Sequence, residues 1–253
     1  MNRLLRWLDP MFALALIASL MMVAVTAWPG AALAADWQRG NGEAATEQRS
    51  AAAVEAVQTN GPDLVVRQGA TPSISVKADR NLLPLLETVV EDTVHGKTLV
   101  VRWKRGANFQ TKVEPVVTVT LARVSALLVS GSGDIVADAL QAPRLSARVQ
   151  GSGDMRLTGL AVDELTLAVV GSGDIVASGQ ARQLAASITG SGDIQTASLK
   201  ADDVSVSIAG SGDASVHAEK TLSVSIAGSG DVVYRGNAKL TKTLAGSGEV
   251  TKR

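Results

Sequence analysis

The chain has 253 residues, no net formal charge at pH 7, 46% hydrophobic and 3% aromatic content, and no cysteine. Balanced charge argues against a dedicated binder of nucleic acid or of anionic lipid, either of which needs a basic excess. Zero cysteine excludes a disulfide framework, a thiolate metal site and a cysteine nucleophile, and two histidines leave little for a histidine-rich centre.

Arg3 and Arg6 precede an apolar run from Met11 to Ala27, and Ala32-Leu33-Ala34 supplies the small residues of a cleavage site. Residues 1–34 therefore read as a signal peptide removed before Ala35, with an uncleaved anchor as the alternative. The mature protein is expected in the periplasm, at the cell surface or in the medium of a bacterium. Residues 35–50 are polar and lack an apolar period, so they read as a flexible leader.

From residue 51 the pattern turns strand-like. Pro62 to Arg67, Thr71 to Lys77, Thr88 to Val94, Thr98 to Trp103 and Val116 to Leu121 are short β-branched runs between turn residues. The exception is Leu82 to Leu86, an apolar bend in which Pro84 permits no more than a helical turn. Residues 51–125 are expected to cap the repeats that follow, forming one continuous domain with them.

Those repeats fill residues 126–253. Gly-Ser-Gly-Asp begins at Gly131, Gly151, Gly171, Gly190, Gly210 and Gly228, with Gly-Ser-Gly-Glu at Gly246. The spacings are 20, 20, 19, 20, 18 and 18 residues, a period that marks a solenoid. Two positions before each first glycine stand Val129, Val149, Val169, Ile188, Ile208, Ile226 and Leu244. Apolar residues also recur four and six positions before, with polar ones between. Period two over so short a run is a half-buried strand, not a helix. The fold class is therefore all-β: a β-helix of about seven coils, each two strands around a glycine corner.

Carrying the alternation through the corner places both glycines inward and Ser and Asp outward. The structural corners are then Gly131 and Gly133, Gly151 and Gly153, Gly171 and Gly173, Gly190 and Gly192, Gly210 and Gly212, and Gly228 and Gly230. Glycine is required there if the bend is too narrow for a side chain or φ is positive. The aspartates would stack ~4.8 Å apart, where two carboxylates repel by about 0.9 kcal/mol even in water. Hydrogen bonds from the N–H groups of each residue's own turn would offset this. Calcium on Asp154, Asp174, Asp193 and Asp213 is the alternative; no other cofactor is expected.

The tandem repeats, with Val57 to Val66 and Lys97 to Val101 before them, resemble the bacterial head GIN domain family. That family is a domain of unknown function described as the head of an autotransporter adhesin. The resemblance covers about residues 50 to 250 and implies an adhesin-like β-solenoid. Self-display through a C-terminal membrane barrel of alternating strands is not expected.

An enzyme reading needs two carboxyl groups in different environments. The corner aspartates share one local sequence, and Asp163-Glu164, Asp202-Asp203 and Glu91-Asp92 read as solvated turns. His95 and His217 have no motif partner, and no phosphate-binding loop is present. The expected function is therefore a non-catalytic envelope interaction or scaffold module, the alternative being a β-helix protein that binds or cleaves polysaccharide. A partner would be an envelope protein or a surface glycan, with no nucleic acid, and the membrane only through an uncleaved residue 1–34 segment. A monomer is expected. The basic-aromatic stretch Trp103, Lys104, Arg105 and Phe109 is the candidate contact loop.

Overall fold

In a computed structural model of the protein the described residues are 37–51 and 53–253, so the signal segment inferred above lies outside them. Residues 37–121 form β1 (Trp37–Arg39), β2 (Ala44–Arg49), β3 (Ala56–Asn60), β4 (Asp63–Gln68), β5 (Ser73–Asp79), β6 (Leu86–Thr93), β7 (Gly96–Trp103), β8 (Asn108–Gln110) and β9 (Val116–Leu121). A 3-10 turn at Leu83–Leu85, with Pro84 inside its first positions, separates β5 from β6. The repeats give β10 (Ala126–Gly131), β11 (Ile135–Asp138), β12 (Gln141–Gly151), β13 (Met155–Gly171), β14 (Ile175–Gly190) and β15 (Ile194–Gly210). They end with β16 (Ala214–Gly228), β17 (Val232–Arg235), β18 (Lys239–Gly246) and β19 (Val250–Lys252).

The protein is a β-solenoid of about six turns. Successive coils pair in parallel, like on like: Leu165 with Leu184, Val169 with Ile188, Gly171 with Gly190. Val149, Val169, Ile188, Ile208 and Ile226 form one inward column, each at most 2% exposed. Stacking of equal side chains fills the repeat interior with aliphatic residues, Tyr234 near its end being the aromatic exception, because each coil presents the next with the shape it already has.

The coil is not the expected pair of strands. Along β13 the buried residues are Met155 and Leu157, then Leu160 and Val162, then Leu165, Leu167 and Val169. Between these runs lie Thr158-Gly159 and Asp163-Glu164, adjacent residues that both stay out of the core. Two outward residues in succession break period two and turn the chain onto a new face. Each coil thus has three faces and three corners, and only one corner carries the glycine motif. The uneven repeat lengths are absorbed away from that motif, at register slips between Leu157 and Leu160 and between Val176 and Ser178.

Of the expected leader, the described residues 37–50 also differ from expectation. Here β1 pairs in parallel with β8, and β2 antiparallel with β5. Their side chains remain largely exposed, so the segment is held by its backbone and shows no apolar period. Nor is the stretch from residue 51 simply a lid on the first coil. β3 pairs in parallel with both β10 and β7, and β4 with both β11 and β9, which extends the stack. Antiparallel strands then flank it, β6 on β7 and β5 on β9.

Candidate functional site

At each repeat corner the two glycines do different work. Gly171 is half-buried with φ +128°, and a Cβ built on it would lie 2.3 Å from the Gly151 carbonyl oxygen. Gly173 is buried, and its Cβ would lie 2.0 Å from Gly153 O. Only the second glycine of each pair is inward. The first was expected inward too, but it sits on the bend, where its backbone angle and, from Gly151 onward, the coil below exclude a side chain.

The aspartates bond between coils and not within their own turns. Ser172 and Gly173 both direct their N–H groups at the Gly151 carbonyl, at 2.9 and 3.2 Å. That leaves the next N–H, of Asp174, without a main-chain acceptor, and Asp154 Oδ1 takes it at 2.9 Å. The same bond recurs from Asp134 to Asp63, Asp154 to Asp134, Asp193 to Asp174, Asp213 to Asp193, Asp231 to Asp213 and Glu249 to Asp231, all at 2.8–2.9 Å. Every carboxylate in the row from Asp63 to Asp231 therefore faces an N–H dipole, which offsets the repulsion between neighbours. Asp63 is the first rung and belongs to Asn60-Gly61-Pro62-Asp63, which lacks the motif and gave no sign of membership. Its half-buried position raises its pKa; the Asp134 N–H pulls against this, while the charges of Asp134 and Glu114 add to it.

Asp154, Asp174, Asp193 and Asp213, the calcium candidates, each have one oxygen committed to this ladder. A depression of about 360 Å³ beside Asp134, Asp154 and Asp174 is also lined by Arg156, whose charge opposes a cation. Among the described residues no three His, Cys, Asp or Glu side chains converge as metal ligands. If the ladder depends on the acceptor rather than the charge, Asp174→Asn should stay within about 0.5 kcal/mol of the parent in chemical denaturation. Asp174→Ala, which orphans the Asp193 N–H, should cost about 1–2 kcal/mol. Equal losses from the two would mean that charge is what the position needs.

A second corner carries the opposite electrostatics. Arg123 meets Glu55 at 2.7 Å, Arg144 meets Glu164 at 2.9 Å, Arg182 meets Asp163 at 2.7 Å, and Lys220 meets Asp202 at 3.0 Å. The hydrogen bond from Lys220 to Asp202 and the charge of that carboxylate hold the ammonium pKa above its usual value. Exposed pairs of this kind are worth about 0–1 kcal/mol each, so the ridge sets register more than stability. Beside it run a depression of about 440 Å³ floored by Val124, Ala142 and Pro143, and one of about 540 Å³ over Val162 and Ala181. Both touch Asp163 and Arg182. Of the carboxylates weighed for acid–base work, Asp163, Glu164 and Asp202 are thus cation-paired, as are Glu91, 2.7 Å from Arg102, and Asp92, 3.4 Å from Lys97. Asp203 accepts a hydrogen bond from the Thr221 hydroxyl at 2.6 Å. His217 contacts Glu219 at 2.9 Å.

The candidate contact loop is only half outward. Trp103 and Phe109 come together, with ring centroids 4.2 Å apart, and Trp103 packs against the core. Lys104 and Arg105 are exposed at the tip. The exposed ring nearby is instead Trp37, 56% exposed, with the Arg39 guanidinium 5.3 Å from its centroid. It is carried there by the pairing of β1 with β8.

Sequence reading missed Asp79. Its side chain is fully enclosed and accepts the N–H groups of Gly42 at 2.7 Å, Lys112 at 2.9 Å and Val113 at 3.0 Å. Burial works to raise its pKa, but the three N–H groups and the Lys112 charge outweigh it, and the pKa is lowered. A lone Asp at the end of a strand carries no sequence mark of such a cradle.

A parallel solenoid closed by glycine corners, with a through-going acid ladder, is the class of molecule these features define. The chain belongs to the family described as putative auto-transporter adhesin, head GIN domain, whose model matches residues 55–238. It is similar in structure to a putative adhesin from Bacteroides fragilis NCTC 9343, at 19% identity and TM-score 0.79, over 85% of this chain and 99% of that one. A putative adhesin from Parabacteroides merdae ATCC 43184 matches at 25% identity and TM-score 0.66, over 87% and 100%. A putative lipid binding protein from Parabacteroides distasonis ATCC 8503 matches at 24% identity and TM-score 0.72, over 86% and 99%. No curated protein matches the chain.

Proposed function

We propose that this protein is an exported, non-catalytic envelope module, a rigid rod that holds a partner against its outer surface. The observation that carries the reading is the commitment of its acid groups: the corner carboxylates accept the next coil's N–H, and Asp163, Glu164 and Asp202 of the ridge pair with cations. The corner carboxylates thus share one environment and lack the contrast within a pair that acid–base chemistry needs. The adhesin-type family and the signal pattern of residues 1–34 support export, and the regular outer faces favour an envelope protein or a surface glycan as partner. The reading is tested by mass spectrometry of the mature chain and by capture from envelope extract with the purified protein. A mature end at Ala35 and one reproducibly retained envelope protein or glycan are expected. An intact Met1, or release of sugar fragments in a parallel polysaccharide digestion screen, would overturn it.

A further inference from the structure

Among the described residues the last rung of the ladder, at Gly246 to Val250, has bonding groups still pointing onward. Among the described residues β18 pairs only with β16, and β19 only with β17. In each earlier coil, three corner groups are taken by the coil that follows. The first glycine's carbonyl accepts the next serine N–H, as Gly228 does from Ser247 at 3.0 Å. The acid side chain accepts the next acid's N–H, as Asp231 does from Glu249 at 2.8 Å. The residue after the acid donates its N–H to the next acid's carbonyl, as Val232 does to Glu249 at 2.8 Å. In the last corner the equivalent groups are the Gly246 carbonyl, the Glu249 carboxylate and the Val250 N–H. They present an edge whose next rung has a fixed register.

The inward columns end in an uncommon way on the same coil. Lys242 pairs opposite Val224, and Lys252 opposite Tyr234, so two apolar columns finish in exposed lysines. Leu244, 40% exposed, and Val250 continue two other columns as apolar residues. A further coil of the chain's own kind would press apolar side chains onto both ammonium groups and remove their water with no counter-charge. A strand carrying carboxylates at those two places would pair with them. Edge lysines ordinarily block any added strand; lysines placed in the inward columns select by charge instead.

We propose that the β18–β19 edge, which no further strand of the described residues pairs, is a docking site for an acidic, extended segment of another polypeptide, which adds in parallel as one more rung. The segment must place glycine over Gly246, because a Cβ there would meet the Gly246 carbonyl as a Cβ on Gly246 would meet Gly228 O, at 2.0 Å. This rests on the partner-binding reading above and gives the partner's chemistry.

The full chain is titrated with three labelled peptides and followed by fluorescence anisotropy. One copies residues 221–235. The second is the same peptide with Val224→Glu and Tyr234→Glu, which face Lys242 and Lys252 in that register. The third adds Gly228→Val to the second. The second peptide is expected to bind at least tenfold more tightly than either other, to weaken with salt, and to protect the Val250 amide from hydrogen exchange. In a chain carrying Lys242→Ala and Lys252→Ala, the preference for the acidic peptide should vanish. Failure of the second peptide to bind at millimolar concentration, equal binding of all three, an unchanged preference in the lysine variant, or protection elsewhere than Val250 would overturn the proposal. Envelope capture that survives the lysine substitutions would leave the broader reading standing on the outer faces while this site fails.

Discussion

Gly173→Ala is expected to cost more than about 3 kcal/mol and to separate the coils on either side of it. The added Cβ would lie 2.0 Å from the Gly153 carbonyl oxygen and 2.9 Å from Val149 Cγ1. The first contact is to backbone, which gives way only if the parallel ladder opens. Gly171→Ala should be comparably severe, since φ +128° is compounded by a Cβ 2.3 Å from Gly151 O. Gly131→Ala provides the internal control. Gly131 has φ +103°, but a Cβ there meets nothing within 4 Å. The level beneath it turns through Asn60-Gly61-Pro62-Asp63, four residues between Thr59 and Leu64 against five between their partners Val129 and Ile135. Its bend therefore lies clear of Gly131, and only backbone strain of about 1–3 kcal/mol remains. The exposed Ser172→Ala should cost under about 0.5 kcal/mol. Equal losses at Gly131 and Gly171 in equilibrium denaturation would assign the glycine requirement to φ alone and not to the approach of successive coils.

That contrast also shows why part of the molecule was legible in the sequence and part was not. The second glycine, the inward Val/Ile column and the strands β4, β5, β6, β7 and β9 all follow from a repeated residue type or a clean period of two. The other two corners have no such mark. Thr158-Gly159 in one coil faces Ser178 alone in the next, where Gly179 lies opposite Leu160, and Asp163-Glu164 becomes Arg182-Gln183. At the latter corner what persists from coil to coil is alternation of charge, and at the former a residue is lost at the register slip, so a search for like residues misses both. The paired leader was hidden for a related reason, because β2 is held by backbone bonds to β5 that leave Thr46, Glu47 and Gln48 free to be polar. The aspartate row was legible as a row, but its chemistry was assigned to the wrong distance. An aspartate can serve its own turn or its neighbour, and only the two N–H groups already crowded onto the first glycine's carbonyl show that the neighbour's N–H is the one in need.

Asp79 should prove the most acid-sensitive group in the fold. It joins three separate stretches, since Gly42 precedes β2, Asp79 ends β5, and Lys112 and Val113 follow β8. Asp79→Ala removes one acceptor from three N–H groups, and hydrogen bonds to a charged group are worth about 1.5–3 kcal/mol each. A loss of about 3 kcal/mol or more is therefore expected, concentrated in the β1–β2 segment while the glycine-corner coils stay protected. Proteolysis and hydrogen exchange at Gly42 and Lys112 would read it. Acid should act on the same groups in the parent chain. Because the folded pKa lies below the unfolded value, the ionised carboxylate contributes its full stability above the ordinary carboxylate range, and that contribution fades as pH falls through the lowered value. Asp63, whose folded pKa is raised, has the opposite sign: its contribution is complete below the unfolded value and is lost as pH rises through the folded one. Acidification below about pH 4 should thus release the β1–β2 segment while easing the first rung of the aspartate ladder. In Asp79→Ala the segment should already exchange freely at pH 7 and gain little more in acid. An unchanged protection factor at Gly42 between pH 7 and pH 3 in the parent chain, after allowance for the intrinsic pH dependence of amide exchange, would show that the carboxylate is not what ties these stretches together.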